Sequence, residues 1–136
     1  AQETAVPIHQ ALDCPLHPDA YLREADFLVS DHLPFSQSPY QAMPIYEPSN
    51  VYAAFKQQAQ AALYALVQDA ETSGQPVLGI THGGLISTVL RLATGSDSVS
   101  FWLYNTSLNL IEWKRGRWHL VHLNLWDHLP PAWRTF

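Results

Sequence analysis

The chain is short of charge, of cysteine and of long apolar runs, and each shortage excludes a class of protein. Charged residues make up 14% of the 136, with 7 Lys and Arg against 12 Asp and Glu, for a net charge of −5. A nucleic-acid surface wants a basic stripe, and none is present. The single cysteine, Cys14, has no partner for an internal disulfide, which points to a reducing, cytoplasmic setting. No apolar run is long enough to span a bilayer, and no basic-then-apolar leader opens the chain, so no membrane partner is expected. The phosphate-loop pattern G-x-x-x-x-G-K-[ST], the dinucleotide pattern G-x-G-x-x-G and the G-x-S-x-G nucleophile elbow are all missing, and no internal repeat is visible. No bound cofactor is expected. No Cys/His spacing supports a zinc site, and His119 and His122, three apart, face opposite sides of a strand.

What is present is apolar: 47% of residues are hydrophobic, enough for one globular domain with one core across residues 1–136. Ala5, Ile8 and Leu12 fall on one face and predict a helix over residues 1–13, with Pro7 awkward inside it. Residues 28–50 break the pattern. "LVSDHLPFSQSPYQAMPIYEPSN" holds Pro34, Pro39, Pro44 and Pro48, serines and scattered aromatics, with no sustained period. A connection of that length predicts a lid or a mobile loop. It has no Lys or Arg, so it is not built to hold a second phosphate. Ser49 or Asn50 then caps a helix carrying Val51, Phe55, Ala59, Ala62, Leu63, Leu66, Val67 and Ala70, which stops before Gly74.

"PVLGI", Pro76–Ile80, reads as a central parallel strand, and Leu85–Ala93 as a helix that stops at Gly95. "SLNLIEWK" and "RWHLVHLNL" read as a hairpin turning at Arg115-Gly116. Together these predict an α/β fold, a sandwich with a mostly parallel sheet and an antiparallel edge hairpin. The five tryptophans are expected to pack in the core and along sheet edges.

The chemistry gathers at "GITHGGLISTVL", Gly79–Leu90. A helix N-terminus at the end of a parallel strand carries orphan N–H groups and partial positive charge, a ready anion site. Gly83 and Gly84 let an anion approach the backbone, and His82 adds an imidazole that can donate or exchange a proton near neutral pH.

This stretch resembles the second-histidine motif of the histidine phosphatase superfamily, which includes the cofactor-dependent phosphoglycerate mutases. "NTSLNLIEWKRGRWHLVHLNLWDHL" resembles that family's closing hairpin, and "AQETAVPIHQALDCPLHPDAYLRE" its stretch of Arg-Ala-x-x-Thr-Ala, helix and Leu-x-Glu. The resemblance implies a three-layer αβα sandwich of the phosphoglycerate mutase type. It implies a phosphomonoester hydrolase working through a phosphohistidine, without a metal. His82, Gly83 and Gly84 would hold the phosphoryl group, and Glu24 would act as general acid. That role asks for a carboxyl that protonates near neutral pH. The substrate would be a phosphorylated small molecule. The family follows Leu-x-Glu with a Gly-rich turn, whereas this chain has "ADFLVSDHL", which makes Asp26 and Asp31 nearby alternatives to Glu24. The family's nucleophilic Arg-His-Gly is absent, and its second arginine would stand just before Ala1. The expectation is therefore a C-terminal portion of the domain, with a preceding N-terminal segment as partner. The alternative is a module that binds an anion or a partner without catalysis.

Overall fold

The computed structural model describes residues 1–135, so Phe136, at the end of the expected domain, lies outside the described residues. Three helices come first and a hairpin last: α1 (Gln2–Leu12), α2 (Asn50–Ser73), α3 (Gly83–Thr94), β1 (Leu108–Lys114) and β2 (Arg117–Leu125).

The ends of α2 and α3 sit where local chemistry puts them. The Ser49 hydroxyl accepts from the Tyr52 N–H at 3.3 Å, and the helix runs 24 residues to Gly74, which takes the left-handed conformation. Gly95 closes α3 in the same way. Helix α1 keeps Pro7 inside it and buries only Ala5.

Helices α2 and α3 pack on each other, and α2 also packs on a 3-10 turn at Ala20–Leu22. Tyr52, Phe55 and Ala59 of α2, Leu85 of α3 and Val29 form the core cluster, with Phe27 edge-on to Phe55 at 5.7 Å. The face of α2 is led by Tyr52 rather than by Val51, which is exposed. Tyr52 can be buried because its hydroxyl donates to Asp97 Oδ1 at 3.1 Å, and Lys56 pairs with the other Asp97 oxygen at 2.7 Å. Burial first, and the Asp97 charge after it, push the Tyr52 hydroxyl up to about 12, against the opposing pull of Arg91.

Residues 28–50 are pinned at the base and bare at the tip. Val29 is buried in a 3-10 turn, Val29–His32. His32 Nδ1 meets the Ser49 hydroxyl at 2.7 Å, and the Tyr46 hydroxyl donates to the His32 carbonyl. Phe35, Tyr40 and Ile45 are exposed.

The hairpin forms as its pattern predicts. Arg115 and Gly116 both have positive φ, 52° and 75°, the handedness that a tight two-residue turn needs. Its register shifts near Asn109 and Asn124. Asn124, at φ 56°, receives the Asn109 side-chain oxygen on its N–H and accepts the Tyr104 N–H on its own side chain.

Two expected features are not formed among the described residues, for one reason. Pro76–Ile80 has no strand partner among the described residues, and the sheet is the antiparallel pair β1–β2 alone, so no parallel sheet stands at the centre. A parallel strand requires a neighbour about 4.8 Å away on which to hang its bonds. With no sheet layer to enter, the aromatics of this half stay out. Trp102, Trp113 and Trp133 are exposed, Trp113 standing edge-on to Trp118 across the hairpin at 5.2 Å. Trp126 finds a place between the Tyr104 ring and the Arg134 guanidinium.

Candidate active site

The site is built on the first turn of α3. His82 is the residue before the helix, in extended conformation, and its carbonyl accepts the first helical bond, from Ile86. Its ring is exposed and makes no hydrogen bond among the described residues. The N–H of Gly83 is likewise without a partner among them, as the first N–H of a helix is unless something outside the helix takes it.

The N–H of Gly84 is taken, and by Glu24, donating to Oε2 at 3.0 Å. The other oxygen accepts the Ala25 N–H at 2.9 Å. A carboxylate thus stands where a helix N-terminus attracts negative charge. It can stand there because Gly84 lacks a side chain: a Cβ on that residue would fall 2.5 Å from Oε1.

Glu24, Gly83 and Gly84 line one cleft of about 430 Å³, together with Ser87, Arg91 and Trp102. His82 abuts this group in the chain but does not line the cleft. Asp26 and Asp31 are exposed and do not line it either, so Glu24 is the carboxylate at the helix start. A second cavity, of about 550 Å³, lies between residues 30–35 and 97–100. Its charged groups are Asp31 and Asp97, which repel an anion, so the smaller cleft is the candidate site.

Arg91 is the residue that sequence reasoning missed. It is 4% exposed, with Nη1 donating to the Ser87 hydroxyl at 3.2 Å and Nε to the Val99 carbonyl at 3.1 Å. A usable signal existed. Gly84, Ser87 and Arg91 recur at helical spacing on one face, and an arginine on the inward face of an otherwise apolar helix marks a buried charge. It places a cation two turns below the helix start, on the wall of the same cleft.

The other histidines lie elsewhere. The His9 ring meets the Cys14 carbonyl, His32 closes the base of the 28–50 segment, His119 meets the Lys114 carbonyl at 3.2 Å, and His17, His122 and His128 are exposed. Among the described residues no three His, Cys, Asp or Glu side chains gather in a group that could hold a metal ion, and no helix is long and apolar enough to cross a membrane.

The model of one protein family, the histidine phosphatase superfamily (branch 1), matches residues 1–125. No curated protein and no solved structure matches the chain.

Proposed function

Because the chain belongs to the histidine phosphatase superfamily, we propose that it supplies the phosphoryl-binding and proton-transfer half of a metal-independent phosphomonoester hydrolase. The observation that carries this reading is the first turn of α3. Glu24 is bound to Gly84, the Gly83 N–H has no partner among the described residues, and the exposed His82 is the adjacent residue in the chain. In the proposed reaction His82 and Gly83 donate to phosphoryl oxygens, and Gly84 serves the site through the carboxylate it holds. Glu24 is the carboxyl placed there to pass a proton to the leaving oxygen. The positive charge of Arg91 on the cleft wall adds to the stabilisation of a phosphoryl dianion.

The attacking histidine belongs to an Arg-His-Gly motif that these residues do not contain, and no residue of this chain is assigned that step. The same family relationship leads us to infer the three-layer αβα architecture. Leu28–Ser30 and Leu33 already line the cleft, so the 28–50 segment is inferred to act as its lid.

The test is hydrolysis of an aryl phosphate in the presence of a chelator by the full-length gene product. His82→Ala should lower kcat by about 10²–10³-fold, the usual loss for one donor to a developing oxyanion. An unchanged rate would remove His82 from the mechanism. The Gly83 N–H without a partner among the described residues also fits a second reading, in which the protein binds an anion without chemistry. Phosphate binding that depends on His82, with no hydrolysis by the full-length product, would decide for it.

A further inference from the structure

The backbone that carries Glu24 is held in an unusual way. Three consecutive carbonyls, those of Tyr21, Leu22 and Arg23, accept hydrogen bonds from side chains rather than from a strand or a helix. The Gln58 amide of α2 donates to Tyr21 at 3.0 Å and to Arg23 at 2.7 Å. The Thr81 hydroxyl donates to Leu22 at 2.6 Å. One residue further on, Gly84 takes the Glu24 carboxylate itself. These donors come from three separate places: the middle of α2, the residue before His82, and the start of α3.

We propose that Thr81 and Gln58 are positioning residues that, with Gly84, set where the Glu24 carboxylate stands relative to His82. The proposal rests on the reading of Glu24 as the proton-transfer group. Thr81 matters most because it is bonded in sequence to His82 and in space to Leu22, two residues before Glu24. One hydroxyl–carbonyl bond therefore fixes the register between the acid and the phosphoryl-binding imidazole, across 59 residues of chain. Neither side chain need touch a substrate to do this. Gln58 holds the segment from the α2 side, so the carbonyls cannot rotate away together.

The experiment follows the Gly84 amide proton and the Glu24 carboxyl carbon by NMR through a pH titration of the chain. It compares the wild type with Thr81→Val, Thr81→Ser and Gln58→Leu. In the wild type and in Thr81→Ser, the Gly84 amide should move with the same midpoint as the Glu24 carboxyl. In Thr81→Val and Gln58→Leu that coupled movement should be lost, while the Tyr52 and Leu85 resonances of the core stay in place. Coupling that persists in both variants overturns the proposal. If Thr81→Val does not fold, Gln58→Leu decides alone, since its side chain reaches out from α2 to the 21–23 segment and is not part of the core cluster. In the full-length product the same two variants should lower kcat for an aryl phosphate by up to about 100-fold, as misplaced catalytic groups do. KM should stay unchanged, and Thr81→Ser should restore the rate. A product that hydrolyses nothing defeats the phosphatase reading, and the amide titration still decides the clamp by itself.

Discussion

The α2–α3 half of the chain and the hairpin half are built from equally apolar sequence, yet one has an interior and the other does not. Leu85 of α3 is 0% exposed, whereas Leu108 of β1 and Trp113 on the same strand are each 52% exposed. The cause is where backbone hydrogen bonds go. A helix satisfies its own and needs only one covered face, so two helices and the 20–33 segment suffice to close a core. A strand bonds to neighbouring strands rather than within itself, and a single hairpin leaves its outer edges unpaired and brings no layer to cover a face. Apolar composition predicts that a segment wants burial; it does not say that the means are at hand.

Breaking the helical half should cost most. Leu85→Ala should lose about 2–5 kcal/mol in urea unfolding, as fully buried leucines do. The matched change in the hairpin, Leu123→Ala, should cost less than about 1 kcal/mol, because its side chain already meets solvent. Equal losses would mean that the hairpin has an interior in solution after all.

The next largest effect sharpens the contrast through pH. The unfolded chain ionises Tyr52 near the ordinary value of 10.0, and the folded chain holds its proton to about 12. Between those values the unfolded state binds fewer protons, so stability falls as pH rises across that window and is untouched below it. Tyr52→Phe should flatten that fall and cost about 1 kcal/mol at neutral pH, where only the bond to Asp97 is lost. A fall of unchanged depth in the variant would assign it to other groups. The most local effect belongs to the hairpin turn. Gly116→Ala forces a side chain into φ 75° and should cost about 1–2 kcal/mol of hairpin stability, read by amide exchange in β1 and β2, with α2 protection unchanged.

What was legible in the sequence divides along the same line. Ser49, Gly74, Gly95 and Arg115-Gly116 act on residues within a few positions of themselves, and the elements they bound formed as expected. Pro76–Ile80 has the composition of a buried strand, but pairing is a property of two segments, and one segment cannot report it. The same holds within the site. The strand-His-Gly-Gly pattern pointed to the start of α3. It could not show that Glu24, 60 residues earlier, would occupy the Gly84 N–H and leave that of Gly83 without a partner among the described residues. Tyr52 was passed over in favour of Val51 because its polar end meets Asp97, 45 residues on. Arg91 was passed over because one charge amid leucines looks like an interruption of a helix face rather than its purpose.

The joining of His32 to Ser49 has a consequence for how such a protein can change over evolutionary time. The two residues meet at 2.7 Å, and just inside that junction Leu33 and Tyr46 pack against the core, so only the stretch between these two leaves the scaffold. Lengthening or shortening the stretch leaves that junction where it is, and each doubling of the loop adds only about 0.6 kcal/mol of closure entropy. Residues 34–45, between the two core contacts of Leu33 and Tyr46, can therefore be rewritten, in length and in chemistry, without disturbing the segment that carries Glu24 or the helix that carries Gly84. Descendants of this chain can acquire new preferences at the mouth of the cleft while inheriting its floor intact.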